Sequence, residues 1–320
     1  MKKKTVNYNE RTPGAAPTAR EEITLIDINS TDSTFTNASG GITKHYFNDV
    51  HYGSDPLRGL VFRTDYPDGS RVERLWWRNL PFETALNADP GNPFVRIEVR
   101  TLPDSSGGQG ATAVSAAKQF TVDRNGNPRK TEEYAWTAFA APSGGRITGL
   151  PAGATLVRTT ENTFYNPVAD VTQNVTSPAD EANAYWNSGA KRHLHALKRS
   201  ETRDAGSSVR AATEIEYDDF ASDPTVPLGN KTKERRWNSE RGAVSNPLTT
   251  ANSAITSYTY TCLGRVATMT DPNGYVTKTE YDANCLFPKK QWDAETRPEE
   301  RETHFTYDVQ TGLVLSLIHI

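Results

Sequence analysis

From about residue 41 onward, apolar and polar positions alternate in short runs of four to eight residues, broken at intervals by Gly, Pro, Asn and Asp. Alternation with a period of two marks strands that bury one face, and the residues between the runs are turn formers. The clearest unit is 61–66, then Pro67-Asp68-Gly69-Ser70, then 71–77. Proline pre-sets φ there, and the Asp-Gly step supports a tight reversal. Strands at 118–123 and 128–134 flank Arg124-Asn125-Gly126-Asn127 in the same way. Further strands are predicted at 257–260, 265–270 and 275–282, around turns at 261–264 and 271–274, and another ends at 304–308. Residues 1–40 are rich in Thr, Ser, Asn, Pro and Ala; they predict one strand at 23–28 and otherwise an irregular segment. Segments 111–118 and 180–186 predict a helical turn each, but neither carries an apolar stripe over three turns. The pattern is all-β.

Composition sharpens this. Only 35% of the 320 residues are hydrophobic, with Tyr counted, against roughly 45–50% in ordinary globular domains. Disorder would account for that figure, but 6 Trp, 13 Tyr and 11 Phe argue for packing, because disordered segments are poor in aromatics. Many aromatics with few aliphatics suit thin β-layers. The formal charge of −3 is spread along the chain, with no basic stripe for nucleic acid. No run approaches the ~18 apolar residues that span a bilayer. Met1-Lys2-Lys3-Lys4 imitates the start of a signal peptide, but 5–10 supplies no apolar stretch. Export would therefore need a signal upstream of this sequence. Cys262 and Cys285 are too few for a disulfide framework or a four-ligand zinc site. Two free thiols are the expectation, and one staple between hairpins is the alternative.

Lined up, the hairpins expose a recurring unit: aromatic, Thr, aromatic or Val, Asp or Thr, then Gly. Tyr260 to Gly264 and Val122 to Gly126 share a spacing of four residues, whereas Tyr307 to Gly312 has five. Tyr260 and Tyr281 are 21 residues apart, and Tyr281 and Tyr307 are 26 apart. Such periods signal stacked repeats, each too small to bury a core alone. Each residue type has a task. The Tyr packs on the Tyr of the next hairpin. The Asp side chain folds back on the turn, and Gly supplies a positive φ.

Residues 258–282, with Tyr258, Tyr260, Gly264, Asp271, Pro272, Gly274, Tyr281 and Asp282, resemble a nearly complete unit of the Rhs/YD-repeat family, YxYDxxGRLxxxxDPxGxxxxxxYD. Thr261 departs from it where the family has Asp. Phe120 to Asn127, with Asp123 and Gly126, and Phe305 to Gly312, with Tyr307 and Asp308, resemble weaker copies; Tyr217-Asp218 begins another. Segment 184–203 resembles a divergent stretch found upstream of such repeats. The resemblance is strong over 255–315 and weaker back to about residue 44. It implies an array of antiparallel β-hairpins forming a curled sheet, part of the hollow spiral shell of bacterial polymorphic toxins, toxin-complex cocoons and teneurins. It also implies a variable effector after the shell, and hence a truncated piece whose last sheet edge is open. The organisation read is 1–40 irregular, 41–250 divergent hairpins and 251–320 regular repeats.

Candidate chemistry is sparse. Asp123-x-Asn125-x-Asn127 imitates a calcium loop, but Tyr134 stands where the bidentate Glu belongs, so a hairpin turn is expected. His193 and His195 share a strand face without a third ligand, beside Lys191, Arg192 and Lys198. Glu132/Glu133, Asp218/Asp219 and Glu299/Glu300 are adjacent pairs that a strand sends to opposite faces, although carboxylates on different strands can still meet for glycoside hydrolysis. The run 103–108 lacks a nucleophile elbow. Trp77 and Trp186 are candidates for stacking on sugar rings, with core packing as the alternative for Trp76 or Trp77. Sequons at Asn37, Asn174 and Asn230 matter only in a glycosylating route. The expectation is a non-enzymatic shell segment of a large secreted or cell-surface bacterial protein, without cofactor or metal. Its partners are the rest of the same polypeptide and the enclosed C-terminal effector. The alternatives are a surface adhesin that binds carbohydrate and, more remotely, a glycoside hydrolase.

Overall fold

A computed structural model describes residues 2–10, 18–26, 32–36, 41–48, 57, 59–78, 93–108, 110, 112–123, 126–142, 145–165, 195–218, 229–293, 301–308 and 310–319. They form strands and connections, with two one-turn 3-10 segments at Ser239–Arg241 and Cys262–Gly264 and no α-helix among the described residues. The chain divides into two compact units, the first running to Thr160 and the second resuming at Glu161. The division falls inside a strand.

In the first unit the strands are β1 (Lys2–Glu10), β2 (Thr18–Ile26), β3 (Asp32–Thr36), β4 (Ile42–Phe47), β5 (Val61–Asp65), β6 (Arg71–Arg78), β7 (Pro93–Leu102), β8 (Val114–Val122) and β9 (Pro128–Ala138). Each pairs antiparallel with the next. β10 (Leu156–Phe164) holds the division. In the second unit β11 (Leu197–Asp204), β12 (Val209–Tyr217), β13 (Lys231–Trp237), β14 (Ser253–Tyr260), β15 (Val266–Thr270), β16 (Val276–Tyr281), β17 (Pro288–Asp293), β18 (Arg301–Tyr307) and β19 (Val314–His319) do the same. The fold is all-β, an array of antiparallel β-hairpins, because every short polar connection leaves the next strand only its predecessor to pair with.

Two local expectations are corrected. The 111–118 segment, read as a helical turn, enters β8 at Val114, which pairs with β7 on one side and β9 on the other. Two ladders outweigh the weak helical preference of its alanines. The N-terminal stretch, read as irregular apart from 23–28, contains β1, β2 and β3. Its Thr, Val and Tyr residues tolerate extended backbone, and β1 aligns with β2 over nine residue pairs. The expected strand 23–28 lies mostly within β2, and the helical turn expected at 180–186 lies outside the described residues.

The apolar core is small. In the first unit, buried Ile97, Val99 and Ala117 take contacts from Leu75, Tyr134, Ile147 and Leu150. The last two come from the long β9–β10 connection, which folds over the sheet. In the second unit Leu248 and Asn252 of the β13–β14 connection are buried, as is Ser253, which opens β14. Elsewhere most strand positions are half-buried, as a single layer requires. That explains how a chain so poor in aliphatic residues folds.

Candidate functional site

One turn recurs. At Asp123, Asp218, Thr261, Asp282 and Asp308 the backbone amide donates across the turn to the carbonyls of Asn127, Asn230, Arg265, Phe287 and Leu313 at 2.8–3.1 Å. The carboxylates close the same loops from inside. Asp123 Oδ1 accepts from the Asn127 amide at 2.8 Å, and Asp218 Oδ1 from Asn230 at 3.0 Å. Asp282 Oδ1 takes the amides of Leu286 and Phe287, and Asp308 Oδ1 those of Gln310 and Thr311. On the opposite side of the sheet, Asp271 Oδ1 accepts from Asn273 and Tyr275 at 2.8 and 2.9 Å, with Pro272 inside the turn. Asp104 and Asp204 act likewise. A carboxylate that takes turn amides satisfies donors no ladder reaches.

A second regularity was invisible in the sequence. The ladder shifts by one residue at Val122, Tyr217, Tyr260, Tyr281 and Tyr307, each directly before the turn-closing residue. The aromatic of each repeat thus sits on a β-bulge, which re-aims its side chain. Tyr260 Oη donates to the Lys231 carbonyl at 2.5 Å, and Tyr281 Oη to the Val266 carbonyl at 3.1 Å, in each case the first residue of the preceding strand. Trp76 Nε1 reaches the equivalent Val61 carbonyl at 2.8 Å. Stacking between repeats is less uniform than Tyr on Tyr: Tyr165 meets Tyr217 edge-on at 5.8 Å, whereas Tyr307 stacks on Phe287 at 4.9 Å. Tyr258 lies under the Lys231 ammonium at 4.7 Å.

Alternate connections of a meander share one side of the sheet, so successive turns touch. A Cβ added at Gly264, whose φ is +67°, would meet Asn230 Oδ1 at 2.9 Å. Gly126, Gly274 and Gly312 also have positive φ. Cys285 occupies the corresponding place in the Asp282 turn, with φ at 57°. The expectation of free thiols is corrected here: Cys285 is disulfide-bonded, and Cys262 is the chain's other cysteine. Their turns lie on the same side of the sheet, which linear spacing does not reveal.

The second unit carries a lattice of charge on one sheet face. The register sets Arg199 opposite Glu214 and Glu214 opposite Arg235, with Glu216 opposite Lys233. Arg199 Nη1 donates to Glu214 Oε1 at 2.5 Å and its Nη2 to Glu201 Oε2 at 2.6 Å. Arg235 pairs with Glu216. Burial pushes the Glu216 carboxyl up, but Arg235 and Lys233 more than offset this and hold it low. Burial likewise disfavours the Arg199 charge, and Glu201 with Glu214 reverses the effect. Residues Tyr165, Lys198, Arg199, Glu214, Arg235 and Pro247 border an open cavity of about 370 Å³ here. Sequence reasoning missed this site. Its signal was the length of the β13–β14 connection, with Pro247-Leu248 as an apolar plug.

The remaining candidates fall apart in space or into structural contacts. Trp77 is 39% exposed, with the Arg96 guanidinium 4.3 Å from its ring centroid; Trp76 is half-buried and committed to Val61. Glu133 pairs with Lys118 and Arg158, and Glu132 with Lys130. Asp123 and Asn127 are buried in their turn, and Asn230 of the sequon donates from Nδ2 to Asp218 Oδ2 at 3.0 Å. His195 is exposed. Trp186, His193, Asn125, Asp219, Glu299, Glu300, Asn37 and Asn174 lie outside the described residues. Among the described residues no group of three His, Cys, Asp or Glu is placed for a metal, and no helix is long and apolar enough to cross a membrane.

No family model and no curated protein sequence matches the chain. Among solved structures it is similar to TcdB2-TccC3 without its hypervariable C-terminal region, at 13% identity and a TM-score of 0.39 over 99% of this chain and 14% of that one. It is similar to TcdB2-TccC3 at 13% identity and 0.39, over 99% of this chain and 15% of that chain. The Photorhabdus luminescens Tc holotoxin pore follows at 11% and 0.36, over 97% and 14%. The chain therefore spans only 14–15% of the length of these similar chains.

Proposed function

We propose that this chain is a wall segment of a secreted or cell-surface bacterial Rhs/YD-repeat protein, enclosing or presenting a C-terminal effector of the same polypeptide, and that it catalyses no reaction. The observation that carries the reading is the recurring turn at Asp123, Asp218, Asp282 and Asp308, each preceded by a bulged Tyr or Val. That device coincides with the residues on which the YD resemblance rests. It supports the reading of a wall: each strand pairs with the backbone of its neighbours, and one face of the second unit carries paired charges. A face of paired charges suits a surface that must face a cargo chain without adhering to it.

The test uses the complete polypeptide of which this segment is part. Limited proteolysis followed by mass spectrometry should find the C-terminal region protected, and Asp123→Ala combined with Asp218→Ala should open it to cleavage. A C-terminal region cleaved as readily as a free peptide would overturn the enclosure reading. Turnover of a glycoside panel that vanishes on changing one carboxylate would overturn the non-enzymatic one. A second reading, carbohydrate binding by an adhesive array, is favoured by the exposed Trp77 ring and its Arg96 neighbour.

A further inference from the structure

The open cavity of about 370 Å³ in the second unit is bordered by Asn246 and Pro247 of the β13–β14 connection, together with Tyr165 and Ile215, and its walls are more apolar than polar. The Tyr165 hydroxyl donates to the Ile215 carbonyl at 2.9 Å, so the ring is what this residue offers the cavity. The acidic acceptors here are taken. Glu214 Oε1 accepts from Arg199 and its Oε2 from the Leu248 amide. Glu216 Oε1 accepts from Arg235, and its Oε2 faces Lys233 Nζ at 3.4 Å. Donors are left over. Arg235 borders the cavity and gives Glu216 only Nη1; its Nε and Nη2 donate to no described residue and are not closed off from solvent. Lys198 is exposed, has no carboxylate partner among the described residues, and holds Nζ 5.6 Å from the Tyr165 ring centroid. The cavity therefore presents positive charge and unused N–H groups beside an apolar wall.

We propose that this cavity binds a small organic carboxylate, whose oxygens take the spare N–H groups of Arg235 within the field of Lys198 and whose apolar body lies against Tyr165, Ile215 and Pro247. A cation would meet Arg235 and Lys198 with the nearby carboxylates already engaged, and a hydrocarbon would leave the guanidinium donors unused. A carboxylate matches the guanidinium in both charge and geometry. The volume falls at the lower end of the ~300–1,000 Å³ of small-molecule sites, so a body of one ring fits. This inference is independent of the shell reading.

The test titrates the intact chain with benzoate, benzyl alcohol, benzylammonium and acetate, by calorimetry and ligand-observed NMR. Benzoate should bind saturably and at least about tenfold more tightly than each of the other three, and Arg235→Gln should remove its advantage over benzyl alcohol. Lys198→Glu should weaken benzoate at least about threefold and leave benzyl alcohol unchanged. Circular dichroism monitors folding; should Arg235→Gln unfold, Lys198→Glu, which breaks no ion pair among the described residues, decides. No saturable binding of benzoate, equal affinity for the alcohol or the ammonium, acetate binding as tightly as benzoate, or benzoate binding that either substitution leaves undiminished would overturn the proposal.

Discussion

The amide of Leu248 donates to Glu214 Oε2 at 2.9 Å, while Oε1 of the same carboxylate is held by Arg199. One acid thus ties a long connection to the charged face beneath it. Glu214→Ala would leave a buried guanidinium half-paired and a buried amide orphaned. It should cost about 3 kcal/mol, since breaking one partner of a buried pair is far more damaging than the pair's net worth. Leu248→Ala should cost about 2–4 kcal/mol as a core truncation. Urea denaturation measures both, and a loss for Glu214→Ala under about 1 kcal/mol would place the pair at the solvent-exposed end of the scale.

The turn at Thr261 lacks the carboxylate that closes its neighbours, although its backbone follows the same path, with the Thr261 amide on the Arg265 carbonyl at 2.8 Å. Thr261→Asp should therefore raise stability by about 0.5–1 kcal/mol, while Asp271→Ala, which frees the amides of Asn273 and Tyr275, should lower it by about 1 kcal/mol. Thermal melts of the two variants should move in opposite directions. A Thr261→Asp variant that melts lower would show that the 3-10 turn at 262–264 rejects the side chain.

Two carboxylates set opposite pH limbs. Burial pushes Glu234 up, but hydrogen bonds from Lys231 and Arg236 more than offset this, so its folded value lies below the ordinary 4.5. Its contribution is present above that ordinary value and is lost as pH falls through the depressed one. Burial raises Glu73, and Arg71 and Arg63 only partly counter it. Its contribution is present below 4.5 and is lost as pH rises through the raised value. Glu234→Gln should lower the melting temperature at about pH 7 and have little effect at about pH 3. Glu73→Gln should raise it at about pH 7 and leave it unchanged at about pH 4.

Carbohydrate recognition has its own discriminator. On a glycan array, Trp77→Ala should abolish binding if the exposed ring is a stacking platform, with a loss of about tenfold or more. Signal equal to that of the unaltered chain, or no signal from either, would remove the adhesin reading. Trp76→Phe, which loses only the bond to Val61, serves as the structural control.

The hairpins were legible because two short-range rules wrote them. Alternation announced β5, β6, the second half of β8, β9 and β14 to β16, and Asp, Gly and Pro marked the turns between them. Asp123, Asp218, Asp282 and Asp308 were readable as turn closers for the same reason: their hydrogen bonds reach only a few residues, or across a single loop. The N-terminal strands were mostly missed because their residues are polar and their pairing, not their pattern, keeps them extended.

What the amino-acid sequence determined by itself was an all-β meander with aromatic, Asp and Gly positions recurring at several of its turns. Only the tertiary structure decided what lies between hairpins. It put the repeat aromatics on bulges, brought the turns of Cys262 and Cys285 to one side of the sheet, and set Glu214 between Arg199 and Leu248. These are contacts between residues 10 to 80 positions apart in the chain, roughly, whose energies depend on register and burial, and neither is encoded in any local window.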